Sequence, residues 1–321
     1  MKTAQLHLLS RSALSALLSL ILLICAELIS DEAAAAPQDW LQARADAIVI
    51  VSREIRPYLA AREGAMEILG DAELSVTSLT LADVAEAAWP ALLRDVAARK
   101  STFILAIGPE AARFLNADSG IALPPAIFTM MLNPEKVLGE NGCGVFLNIP
   151  PAIQLQEISR LLPQAKRIAI LHDPDVNTEF VSQVADLAAP LDRRIVPLPV
   201  SSKKNLPAIL EKNWANIDAI WFIPDRTVIS ESIVSYIIKE AFLHRIPTIG
   251  YNRFFADSGA LLSFVFDYQE LGRQAAALAL RTMAGESCRS EIPRFDLRIN
   301  EEVGRKLSIP VAADPGSGGL R

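Results

Sequence analysis

The most constraining feature of this chain is a series of short, continuously apolar runs, each followed by a polar turn and then an amphipathic stretch. DAIVIV (46–51), TFILAI (102–107) and PAIFT (125–129) form one set; RIAIL (167–171), DAIWFI (218–223) and IPTIG (246–250) form a second. A strand with no polar face must be covered on both sides, and a strand-helix alternation supplies that cover from two layers of helices. The chain therefore predicts parallel sheets flanked by helices. An antiparallel sandwich, which needs alternating strands, does not fit.

Between the runs the periodicity predicts helices over 58–69, 84–100, 109–115, 180–189, 204–213 and 229–244, with further strands over 74–79 and 194–200. The two sets match element for element at a period of about 120 residues. Two similar Rossmann-like lobes account for this better than a solenoid, whose repeats are roughly 20–50 residues long. After the second set come ALLSFVF (260–266), a helix over 271–284 and an alternating segment over 292–298. This is more sheet and helix than a plain tandem requires, and elements crossing back between lobes would supply it.

The front of the chain reads as an address. Lys2 and Arg11 precede the uncharged apolar run SALSALLSLILLICA (12–26), which is followed by Glu27, Asp31, Glu32 and AAAAP (33–37). A basic start, an apolar stretch of about 15 residues and a small-residue cluster make a secretory signal over 1–36. The run is short for a membrane span of about 20 residues. An uncleaved anchor and a lipoprotein built on Cys25 are the alternatives, the second opposed by Ile24 where a small residue is needed. The Gly- and Pro-containing end, 312–321, is expected to be disordered.

Several function classes drop out. With 31 Lys and Arg against 37 Asp and Glu the chain is acidic, which disfavours nucleic acid as a partner. It carries no GxGxxG or GxxxxGK[ST] phosphate cradle, no GxSxG elbow and no HExxH, and no CxxC or spaced Cys/His set suggests a metal. No catalytic residue, cofactor or metal is assigned. Asp173, Asp175 and Asn177 imitate the start of a calcium loop, but Thr178 and Val184 stand where Gly and Glu are required. An acidic turn capping a helix is the better reading. His244, at a helix end, reads as a C-terminal cap. Asp225-Arg226 follows a buried strand, where open α/β sheets hold ligands; a helix-capping Asp beside a solvated Arg is the equal alternative.

These residues resemble the substrate-binding proteins of ABC transporters with the type I periplasmic-binding fold, nearest the TrpX-like branch that takes tryptophan or tyrosine. The resemblance rests on FILAIGPEAARFL (103–115), IFTMMLNPEKVLG (127–139), LLPQAKRIAILHDPD (161–175), FDLRINEEVGRKLSIPV (295–311) and, most specifically, the stretch 246–286 with its SGAL and DYxxxG. Two departures stand out: Pro109 where relatives commonly have Thr, and Asp225-Arg226 where they often have Asp-Asn. The lipobox of that branch is also missing.

What the resemblance implies is an exported monomer that captures a small solute, amino-acid-like by preference, in an interlobe cleft and passes it to a membrane permease. A sensor or accessory module without a permease is one alternative. An exported α/β enzyme is another, although no nucleophile–base pair is readable. The resemblance further implies two lobes joined by a three-crossing hinge: 37–135 plus 258–285 in the first, 136–257 plus 286–311 in the second. Side-by-side crossings would make a Cys143–Cys288 disulfide geometrically reasonable; two separate buried thiols are the alternative. The expected ligand residues follow buried strands. They are Ser52, Tyr58, Gly108 and Thr129 through Asn133 in the first lobe, and Asp173, Asn177, Asp225, Arg226, Tyr251 and Asn252 in the second. Tyr58 is equally well a core residue at a helix start.

Overall fold

The computed structural model describes residues 46–117, 120–139 and 142–310. The expected signal (1–36) and the expected disordered tail (312–321) lie outside the described residues.

Two sheets organise the chain. The first is five-stranded and parallel, formed by β1 (Ala47–Val51), β2 (Val76–Thr80), β3 (Phe103–Ile107), β4 (Ala126–Thr129) and the short β5 (Gly144–Val145), in the order β2-β1-β3-β4-β5. Every residue of β1 and β3 is buried, as their unbroken apolar sequence requires. One face packs on α1 (Arg56–Asp71), the other on α2 (Trp89–Ala98) and α3 (Pro109–Leu115), and the two apolar clusters share the strands between them.

The second sheet contains β6 (Arg167–His172), β7 (Arg194–Pro199), β8 (Ala219–Trp221), β9 (Thr248–Gly250), β10 (Leu262–Val265) and β11 (Asp296–Ile299), in the order β11-β10-β9-β8-β6-β7. All its pairings are parallel except β10 with β11. Helices α5 (Pro151–Leu161) and α6 (Pro174–Ala188) cover one face, and α7 (Leu206–Asn213) and α8 (Glu231–Leu243) the other. Among the shorter helices, α4 spans Glu135–Leu138, α9 Arg253–Asp257 and α11 Glu301–Leu307. His244 caps the end of α8 and stacks on Trp214, with ring centroids 4.5 Å apart.

Strand membership moves the lobe boundaries from where the sequence put them. The first sheet continues past residue 135 to β5, whose two residues are too short to show as an apolar run. The segment 258–266 belongs to the second sheet, because β10 pairs with β9 there. Only the next helix, α10 (Tyr268–Met283), returns to the first lobe and packs on α1. The packing is close enough to require glycine: a Cβ on Gly272 would stand 1.8 Å from the Ala61 carbonyl oxygen, and one on Gly64 1.9 Å from that of Gln269.

The chain crosses between the sheets after β5, between β10 and α10, and between α10 and β11. The third crossing is strapped to the edge of the first sheet before it leaves. Val145 bridges to Glu291, the Glu291 amide donates to the Gly144 carbonyl at 3.0 Å, and the Gly144 amide donates to Ser290 Oγ at 3.3 Å. Cys143 and Cys288 form a disulfide at the same place, with their Cα atoms 6.0 Å apart. Residues 288–291 thus lie along the first lobe's edge, although they were expected in the second lobe.

Candidate functional site

The carboxyl ends of the first sheet are level. Val51, Ile107, Thr129 and Val145 stand in one register row across β1, β3, β4 and β5. The residues just beyond that row therefore emerge side by side at the cleft end of the lobe, and the corresponding ends of β6, β8 and β9 do the same in the second lobe.

A cavity of about 240 Å³ lies where these ends meet the crossings. The first crossing contributes Leu147 through Pro151 and the second contributes Phe266. The second lobe supplies Gln154, Asn177, Phe180, Trp221 through Pro224, and Tyr251. The first lobe adds Asn133, at the end of β4. The wall is aromatic and aliphatic, punctuated by four carboxamides, and no charged side chain lines it among the described residues. Such a surface suits a planar apolar group with a few neutral hydrogen bonds. Asn177 donates its amide to Asp225 Oδ2 at 2.7 Å, which leaves its oxygen as an acceptor. Gln154 donates to the Ile149 carbonyl at 2.8 Å and holds the crossing segment in place. The Trp221 indole N–H is buried without a partner among the described residues. Tyr251 packs on Phe255, and burial, with Asp225 nearby, pushes its phenol up to about 12.

Of the residues expected from sequence, the cavity brings together Asn133, Asn177 and Tyr251. Asp173, Asp225 and Asn252 instead hold their own loops. Asp225 is buried, and its Oδ1 accepts from the Thr227 and Val228 amides, both at 2.9 Å. Its Oδ2 accepts from the Asp173 amide and from Asn177 Nδ2, both at 2.7 Å. Four donors fill the lone-pair sites of a carboxylate. Asp173 caps α6, accepting from the Asp175 amide at 2.9 Å and from the Thr227 hydroxyl at 2.5 Å; these bonds hold its carboxyl below the usual range, Thr227 foremost. Asn252 caps α9 through the Phe254 amide. Arg226 is exposed and makes no hydrogen bond or ion pair with the described residues.

In the first lobe, Thr129 is fully buried and donates to the Val145 carbonyl at 2.8 Å, joining β4 to β5. Ser52, Tyr58 and Gly108 come together. Ser52 Oγ accepts from the Ala111 amide at 2.8 Å. Gly108 has φ +91°, and a Cβ there would stand 2.6 Å from Ser52 Oγ and 3.0 Å from the Tyr58 ring. Beside them Arg53 pairs with Glu110 at 2.5 Å. Tyr58 is half-buried, and its phenol is raised by burial and by the Glu110 carboxylate, against a lowering by Arg53.

Sequence reasoning missed Phe180, Trp221, Phe222, the crossing segment and Phe266, along with the Arg53–Glu110 pair. The available signals were the Pro-Pro step at 150–151, the aromatic end of β8 and the acid directly after Gly108-Pro109.

Comparison with known proteins adds the family. The model of the ABC transporter substrate binding protein family matches residues 59–312. A tyrosine-binding protein of Clostridioides difficile (strain R20291) is 27% identical over 229 residues, covering 65% of this chain and 64% of the relative, so the match spans less than two thirds of that relative. Two solved structures share the fold. The ligand-free, open structure of a substrate binding protein with adhesive properties from Clostridium difficile superposes with a TM-score of 0.68 at 19% identity, covering 84% of this chain and 96% of that one. An ABC domain in complex with L-Trp from Streptococcus pneumonia gives a TM-score of 0.55 at 16% identity, over the same shares. With a family model matched along most of its length, the chain belongs to the ABC transporter substrate binding proteins.

Proposed function

We propose that the protein is exported, captures an aromatic amino acid between its lobes and hands it to an ABC permease. The observation that carries the ligand class is the cavity at the crossings, whose aromatic and carboxamide wall matches a ring with a neutral polar substituent and offers nothing to a phosphate or a polyanion. A tyrosine-binding relative and a fold neighbour holding L-Trp support the same class. The ligand contacts both lobes only when they close, so it shifts the population towards the closed form by its extra contacts there. Capture is without turnover, and the closed form is what a permease would recognise. The expected site residues are Asn133, Asn177 and Tyr251, joined by Phe180, Trp221 and Phe222.

The test is calorimetric titration of the purified chain, stripped of bound solute by unfolding and refolding, with L-tyrosine, L-tryptophan, glucose, adenosine and phosphate. Saturable binding of the aromatic amino acids alone supports the reading. Binding of only a sugar, nucleoside or anion sinks it.

A further inference from the structure

The cavity leaves the two charges of an amino acid without partners, since no ionised side chain lines it among the described residues. A zwitterion's ammonium and carboxylate are costly to remove from water unless each meets an opposite charge. On the first lobe's rim stand Arg53, two residues beyond β1, and Glu110, three beyond β3, whereas Asp225 of the second lobe already has its lone pairs filled. β3 runs beside β4, whose following residue Asn133 lines the cavity, and β1 runs on the other side of β3; neighbouring strands are about 5 Å apart. Tyr58, beside Gly108, packs on the same apolar cluster as Phe266 of the cavity wall.

The pair is poorly suited to a purely structural role. The Arg53 side chain is 62% exposed, and an ion pair with so exposed a partner adds little to stability. Glu110 is only 16% exposed, and its Oε2 is buried with no hydrogen-bond partner among the described residues. A covered carboxylate oxygen without a donor is an unfavourable state, relieved when a donor arrives. Arg53, bonded to Oε1, is exposed and has further guanidinium donors beyond the one that bond uses.

We infer that Arg53 and Glu110 are the specificity-determining residues for the charged end of the ligand: Glu110 takes the α-ammonium, while Arg53 turns from Glu110 to the α-carboxylate. This rests on the aromatic amino-acid reading above. The exchange replaces one ion pair by two and conserves net charge. At Gly108, two residues before Glu110, a Cβ would push against Ser52 and the Tyr58 ring.

The experiment titrates wild type, Glu110→Gln and Arg53→Gln with L-tyrosine, with tyramine, which lacks the carboxylate, and with 3-(4-hydroxyphenyl)propanoate, which lacks the amine. Glu110→Gln is expected to weaken L-tyrosine and tyramine by ~10- to 100-fold but not the propanoate, for which it frees Arg53; Arg53→Gln is expected to weaken L-tyrosine and the propanoate but not tyramine. Equal affinity of all three ligands for the wild type overturns the inference without any variant, which covers a substitution that fails to fold. So does a folded Glu110→Gln that binds L-tyrosine as tightly as the wild type. In both cases aromatic binding itself survives. A wild type that binds none of the three removes the amino-acid reading and this inference together.

Discussion

Both lobes place an acid just past the carboxyl end of a buried strand, and the two carboxylates are in opposite condition. Asp225, after β8, is surrounded by four donors from its own lobe. Glu110, after β3, has one oxygen on an exposed arginine and the other on nothing among the described residues. Position at the strand ends is therefore a poor guide to which acid meets a ligand. The count of lone pairs already filled is a better one, because a saturated carboxylate has no site left for an incoming ammonium. The second lobe uses its acid to build the loop that shapes the cavity, whereas the first keeps its acid for exchange.

Removing the second lobe's acid should give the largest effect. Asp225→Ala leaves three amides and the Asn177 side chain without their acceptor and is expected to cost about 3–4 kcal/mol, read from the denaturant midpoint. A loss below about 1 kcal/mol would mean the loop does not depend on it, and the contrast with Glu110 would collapse. Next is the strap on the first lobe: Cys143→Ala with Cys288→Ala releases a link spanning 145 residues and should cost about 2–4 kcal/mol of unfolding free energy. If the unfolding midpoint stays put, the third crossing is held by its hydrogen bonds to β5 alone.

Gly108→Ala should lose about 1–3 kcal/mol, from a positive φ and from contact with Ser52 Oγ, with L-tyrosine affinity falling as well because that contact borders Glu110. Unchanged stability in thermal unfolding would show that the first lobe's rim is looser than its geometry implies. A smaller effect concerns pH. The Tyr251 phenol is raised to about 12 in the fold, chiefly by burial, against an ordinary value of 10.0. Between those values the unfolded chain releases its proton first. This contribution to stability is therefore complete below pH 10 and declines as pH rises towards 12. Tyr251→Phe should flatten that decline, and a stability–pH curve identical to wild type would remove the burial argument. Least of all should Arg226→Ala matter, within about 0.5 kcal/mol, since its side chain is exposed and has no partner among the described residues.

Much of the fold was legible because periodicity is a local property. Ala47–Val51 and Phe103–Ile107 have to be covered on both faces whatever surrounds them, and that requirement alone yields parallel sheets between helices. Capping was legible for the same reason at Asp173 and His244, which act within a turn of their own sequence positions, whereas Asn252, expected as a ligand residue, caps α9 instead. The lobe to which Leu262–Val265 belongs was not, since an apolar strand fits either sheet and only its pairing with β9 decides. Nor was β5, whose two residues form a strand only because β4 offers an edge.

At the site the division is the same. Residue types at strand ends marked Asn133, Asn177 and Tyr251 from the sequence, and marked Asp225 equally well. Telling a carboxylate with filled lone pairs from one with an open oxygen needs donors from residues 48 to 57 positions away, such as Asn177 for Asp225 and Arg53 for Glu110. Hydrogen-bond saturation is a property of space, and the chain acquires it only on folding.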